Sequence, residues 1–125
     1  MTVASPYLDA RPARYANAAA IIGAVAEEFG LAVMDVVGPR RYKQIAEARL
    51  LCYWLLRTRT RMSFPEIGHV LGGRDHTSVM VGVKSWPIKA ERDPELQSIA
   101  DRITERLALG PIVAKVEGFE SGRFG

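Results

Sequence analysis

Two helix starts only twelve residues apart leave the middle of this chain little freedom. Ser63-Phe64-Pro65-Glu66 has the hydroxyl and carboxylate of a capping box, with proline in the first turn, where its missing N–H costs nothing. Gly72-Gly73 follows within two turns and stops that helix, and Asp75 can cap a new one. Behind Asp75, the residues Val79, Val83 and Trp86 recur at i, i+4, i+7 and form one apolar stripe. A short helix, a glycine-bearing turn and a second, amphipathic helix make a helix-turn-helix. No stretch alternates as a strand would. The expected fold is therefore all-α, a compact multi-helix domain containing a helix-turn-helix, preceded by a basic loop and a long helix.

The flanks follow the same logic. Ala18 to Phe29 carries Ile21, Ile22, Val25 and Phe29 on one helical stripe, with Gly30 as its C-cap. Val33 to Val37 fits one further turn before Gly38-Pro39 breaks it. From Gln44 to Arg59, the positions Ile45, Ala48, Leu51, Cys52, Leu55 and Leu56 predict a long helix. Pro87 is expected to end or kink the helix that Asp75 starts. Asp93-Pro94 opens a last helix with Leu96, Ile99, Ile103 and Leu107 inward, closed by Gly110-Pro111. The expected organisation is a flexible arm over 1–16, the helix-turn-helix domain over 17–88, an additional amphipathic helix packed on it over 89–112, and a disordered tail over 113–125.

At 125 residues the chain has room for one domain with a real core. Its single cysteine, Cys52, excludes a disulfide-stapled scaffold. The longest apolar run, Ala18 to Ala26, is interrupted by Gly23 and ends at Glu27-Glu28, far short of a membrane span. With no secretory leader pattern either, the expectation is a cytoplasmic protein with no membrane partner, in the nucleoid if it binds DNA. The net charge of +3 conceals an asymmetry: Gly38 to Lys89 holds ten basic and three acidic residues, +7, while the remainder is −4. A strongly basic middle is the electrostatic footprint of a nucleic-acid surface, the alternative being a solvated helix face.

The second helix of the pair would meet a major groove with its first turn. Arg74, Asp75, His76, Thr77 and Ser78 stand there. Aspartate accepts from cytosine N4, histidine donates or accepts, threonine offers a hydroxyl and a methyl suited to thymine, and arginine reaches phosphate or guanine. Other chemistries fit poorly. Cys52, His69 and His76 lack the paired spacing of a zinc site. Asp75, His76 and Ser78 include the residue types of a hydrolase triad, but neighbours on one helix diverge by about 100° each and cannot form the chain. No enzyme activity and no cofactor are expected. Cys52, Tyr53, Trp54 and Trp86 read as core or interhelix packing, and His69 as an exposed residue with no role.

The run Ser63-Phe64-Pro65-Glu66-Ile67-Gly68, followed by Leu71-Gly72-Gly73-Arg74-Asp75-His76-Thr77-Ser78-Val79, resembles the signature of the C-terminal DNA-binding domain (domain IV) of DnaA, the bacterial chromosomal replication initiator. That pattern is close to S-L-P-E-I-G…F-G-G-R-D-H-T-T-V. The likeness runs without gaps from about Ile21 to Trp86, through Val25-Ala26-Glu27, Asp35, Arg40-Arg41 and Arg49, roughly half the chain. It departs at Glu47, Ala48 and Leu50, where the family is more basic or polar, and at Val81 and Val83, which are more apolar than usual.

The resemblance implies sequence-specific binding of double-stranded DNA at boxes like TTATNCACA. Asp75, His76 and Thr77 match the base-reading trio, flanked by Arg74 and Ser78. Arg40, Arg41 and Lys43 match a basic loop whose arginine enters an A·T-rich minor groove, where negative potential is concentrated. Arg49, Arg57, Pro65 and Lys84 match phosphate-facing positions, Pro65 through the backbone N–H groups of its helix start. No G-x-x-x-x-G-K-[ST] loop occurs, so the expected role lies in replication initiation or its regulation without ATPase activity, as a stand-alone small protein binding one monomer per site. The alternatives are a dimeric helix-turn-helix repressor and a protein-interaction module acting on initiator proteins.

Overall fold

A computed structural model describes the backbone of residues 6–109 and the side chains from residue 17 onward. Those residues form α1 (Pro6–Glu28), α2 (Val33–Val37), α3 (Lys43–Thr60), α4 (Phe64–Val70), α5 (His76–Arg92) and α6 (Pro94–Arg106), with no strand among them. The fold is all-α.

The long helix α3 is central, packed against α1, α2, α4 and α5, while α6 closes the bundle against α5 and α1. One core joins all six helices: Ile21 and Val25 of α1, Val36 of α2, Leu51, Leu55 and Leu56 of α3, Ile67 of α4, Val83 and Trp86 of α5, and Ile99 and Ile103 of α6. Each apolar stripe visible in the sequence faces this core, and burying such stripes is the main stabilising term in a domain of this size. Cys52, Tyr53 and Trp86 are buried in it, and Trp54 packs half-buried against it.

Capping fixes where the helices begin. Ser63 Oγ accepts from the Glu66 N–H at 3.2 Å and Glu66 Oε1 accepts from the Ser63 N–H at 2.9 Å, the reciprocal box expected from the sequence. Asp75 caps α5 through the Thr77 N–H at 3.1 Å, and Asp93 caps α6 through the Glu95 N–H at 3.1 Å. Gly30 ends α1 at φ +69°, with the Leu31 N–H reaching back to the Ala26 carbonyl at 2.8 Å.

One expectation is corrected and another narrowed. Residues 6–16, read as part of a flexible arm, are helical and continuous with α1. Pro6 stands in the first turn, where proline is harmless, and alanines at 10, 13, 16, 18, 19 and 20 supply helix propensity. Of the two outcomes expected at Pro87, an end or a kink, the end does not occur, since α5 runs on to Arg92. Trp86 and Ala90, both buried, anchor the helix in the core on either side of Pro87. α6 stops at Arg106; Gly110-Pro111 and the tail expected over 113–125 lie outside the described residues. No described helix is long and apolar enough to cross a membrane.

Candidate nucleic-acid interface

The turn between α4 and α5 is built on Gly68. Its carbonyl accepts from the N–H groups of both Gly73 at 2.9 Å and Arg74 at 2.8 Å, and a Cβ at Gly68 would lie 2.1 Å from the Arg74 carbonyl oxygen. Gly72 adopts φ +91°, and a Cβ there would meet the Val37 carbonyl oxygen at 2.1 Å. Glycine is thus required at both points, by close backbone approach at the first and also by left-handed conformation at the second. The second contact presses the turn against the end of α2, where the basic loop begins.

Arg74 secures the same junction. One of its terminal nitrogens donates to the Gly38 carbonyl, the last carbonyl before Pro39. Arg49, from α3, donates to that carbonyl as well, and to the carbonyls of Val36 at 2.7 Å and Asp35 at 3.3 Å. Arg49 therefore caps the C-terminal end of α2, as a cation should. Burial, and then the neighbouring Arg74 guanidinium, hold its pKa below the usual arginine range. It is only 8% exposed. The fork of Arg49, expected to face phosphate, is turned onto backbone acceptors at the end of α2.

Arg57 is also drawn inward. It donates to the Met62 carbonyl at 3.1 Å and lies 4.2 Å over the Phe64 ring, with burial lowering its pKa. It braces the start of α4 rather than projecting from it. Pro65 stands exposed in that first turn, and Lys84 is exposed on α5.

The remaining sequence-selected residues form an accessible surface. Asp75, His76, Thr77 and Ser78 are all exposed at the start of α5, with 66% of the Asp75 and 55% of the His76 side chain open. Asp75 Oδ1 lies 3.7 Å from His76 Nδ1, while Oδ2 caps the helix. Opposite the buried face of α5, Thr77, Val81, Lys84 and Ile88 make an outward stripe. Across the junction at Gly38, the loop to α3 exposes Arg40, Arg41 and Tyr42, then Lys43 in the first turn of α3. A polar helix start and a basic loop are thus tied to one carbonyl. Val81 was not among the sequence-selected site residues; its i+4 spacing from Thr77 was the available signal. Among the described residues no group of three His, Cys, Asp or Glu side chains could hold a metal.

Fold and site together define a helix-turn-helix domain with a basic loop braced against its second helix. The chain belongs to the bacterial DnaA helix-turn-helix family, whose pattern matches residues 18–85. It is similar to proteins named chromosomal replication initiator protein DnaA. That of Gloeobacter violaceus is 39% identical over 88 residues, covering 70% of this chain and 20% of the relative. That of Thermus thermophilus is 40% identical over 85 residues (68% and 20%), and that of Microcystis aeruginosa 36% identical over 104 residues (82% and 23%). The chain spans about a fifth of the length of the curated relatives it matches. The matching family is a helix-turn-helix, not a catalytic module.

Proposed function

We propose that this protein binds double-stranded DNA sequence-specifically at DnaA-box-like sites of the TTATNCACA kind. In this reading it acts in replication initiation or its regulation, in the nucleoid, without an ATPase step of its own. The start of α5 enters the major groove, where Asp75, His76, Thr77 and Ser78 meet base edges. The loop carrying Arg40 and Arg41 follows the adjoining minor groove, and Lys43, Lys84 and the start of α4 at Pro65 meet phosphates. Arg74 contributes by holding the loop at the Gly38 carbonyl.

The observation that carries the proposal is the exposed run Asp75–Ser78 on a helix start whose opposite face is core. Four polar side chains there gain nothing for the fold beyond the Asp75 cap, and they suit a groove lined with donors and acceptors. Gel-shift titration with a TTATCCACA duplex and its scrambled counterpart is the test. A preference for the box of at least about a hundredfold is expected, since specific readers exceed their own non-specific binding by far more than experimental scatter. Equal binding to both duplexes overturns the proposal and favours a module acting on initiator proteins. A sedimenting dimer that prefers palindromes overturns the monomeric mode and favours a repressor.

A further inference from the structure

The outward stripe of α5 carries two side chains that the proposed contacts leave unused, Val81 and Ile88, and Val81 is the one next to the reading residues. Val81 is 57% exposed and lies one helical turn beyond Thr77. Packing holds it outward. At the next residue, on the side facing α3, a Cβ at Gly82 would come within 2.3 Å of the Tyr53 ring, so α5 sits too close to α3 to roll Val81 inward. The nearby Ser85 hydroxyl is turned onto its own helix, donating to the Val81 carbonyl at 2.8 Å. The surface at the level of Val81 is therefore dominated by a branched aliphatic group, stiff about χ1 and lying between the Thr77 hydroxyl and the Lys84 ammonium along one stripe.

A major groove offers such a group one complementary feature, the 5-methyl of thymine. Elsewhere on that surface, against phosphate or a base-edge donor, valine would only displace water. We infer that Val81 is a further specificity-determining residue, its methyl groups packing on the 5-methyl of a thymine one step along the groove from the base met by Thr77. The inference rests on the box-reading function proposed above. It makes the chain discriminate thymine from bases lacking that methyl at one position of the site, by shape rather than by hydrogen bonding.

The test replaces each thymine of a TTATCCACA duplex by deoxyuridine, one at a time, and measures affinity by fluorescence anisotropy. Deoxyuridine keeps every hydrogen-bonding group and removes only the methyl. At one thymine the wild-type chain should lose about threefold to fourfold in affinity, and Val81→Ala less than about 1.5-fold, because burying one methyl is worth a factor of that size. Thr77→Ser removes the nearest other exposed methyl on the stripe and should leave the Val81-dependent position unchanged. Val81 is exposed, so Val81→Ala should unfold at the wild-type temperature. Thymine sensitivity that is the same in Val81→Ala as in wild type, or that vanishes only in Thr77→Ser, overturns the inference and leaves box reading intact. A wild-type chain that does not distinguish the box from its scrambled counterpart overturns both.

Discussion

Arg49 and Arg74 donate to the same acceptor, the carbonyl oxygen of Gly38. One comes from the middle of α3 and the other from the turn before α5, and the carbonyl belongs to the first residue of the basic loop. Two like charges converge there on a backbone dipole. The shared acceptor makes the loop and the helix start one mechanical unit, as two elements must be if they are to enter neighbouring grooves in fixed register.

Arg49 should accordingly matter to folding before it matters to DNA. Arg49→Ala strips the Arg49 donor from the carbonyls of Val36 and Asp35 at the end of α2, leaves Gly38 to Arg74 alone, and opens a space beside α3. A loss of about 2–4 kcal/mol in urea unfolding is expected, the scale of unsatisfied buried acceptors plus lost packing. Arg49→Lys should recover less than half of it, because an ammonium cannot span acceptors that a planar fork reaches together. A variant with wild-type stability and a uniform loss of DNA affinity would restore the phosphate-facing role.

The reading head should behave in the opposite way. His76 and Thr77 are exposed and carry no core contact, so His76→Ala and Thr77→Ala should leave the unfolding midpoint nearly unchanged. Each should cost about 1–3 kcal/mol on the box duplex and little on scrambled DNA, whose binding is phosphate electrostatics. Asp75 differs because Oδ2 also caps α5, so Asp75→Ala should lose about 1 kcal/mol of stability as well. Equal losses on both duplexes for His76→Ala would remove α5 from the major groove.

Much of this was legible in the sequence because local rules decide it. The Ser63–Glu66 box, the Asp75 and Asp93 caps and the apolar stripes all act within one or two helical turns, and the structure has them where the spacing indicates. What the sequence could not show was long-range. Nothing local marks Arg49 as a side chain that will meet carbonyls eleven to fourteen residues away, or Arg74 as one that meets Gly38 across 36 residues. In composition both are simply part of the +7 window. Pro87 does not end its helix for a related reason: the anchoring of Trp86 and Ala90 in the core overrides a local breaker.

Alkaline pH gives a test of the core beneath α3. Burial pushes the Cys52 thiol well above the ordinary thiol range, against a smaller opposing pull from Arg49, and burial likewise raises Tyr53. Both groups are neutral when protonated, so the folded state holds their protons more tightly than the unfolded chain does. Their contribution is therefore fully present below the ordinary thiol pKa of about 8.5 and is lost as pH rises above it. Unfolding free energy should fall by up to about 1.4 kcal/mol per pH unit from Cys52, with Tyr53 adding to the slope above about pH 10. Cys52→Ala should flatten the curve between those two onsets. A Cys52→Ala curve parallel to wild type would show that the thiol does not control it.

The salt dependence of binding separates the surface cations from the buried ones. Arg40, Arg41, Lys43 and Lys84 are exposed, whereas Arg49 and Arg57 spend donors on backbone carbonyls and Arg74 holds Gly38. If the exposed set neutralises about four phosphates, the log–log slope of affinity against salt should be about −3 to −4. Recruiting Arg49, Arg57 and Arg74 too would carry it to about −6. Arg41→Ala should lower the slope by about one unit, with its largest affinity loss on boxes whose end is rich in A·T pairs, because a narrow minor groove concentrates the potential an arginine seeks. Arg57→Ala should leave the slope unchanged, since its guanidinium already lies over Phe64. A slope near −1 for the wild-type chain would mean that the basic window is a solvated face and that the DNA-binding proposal fails.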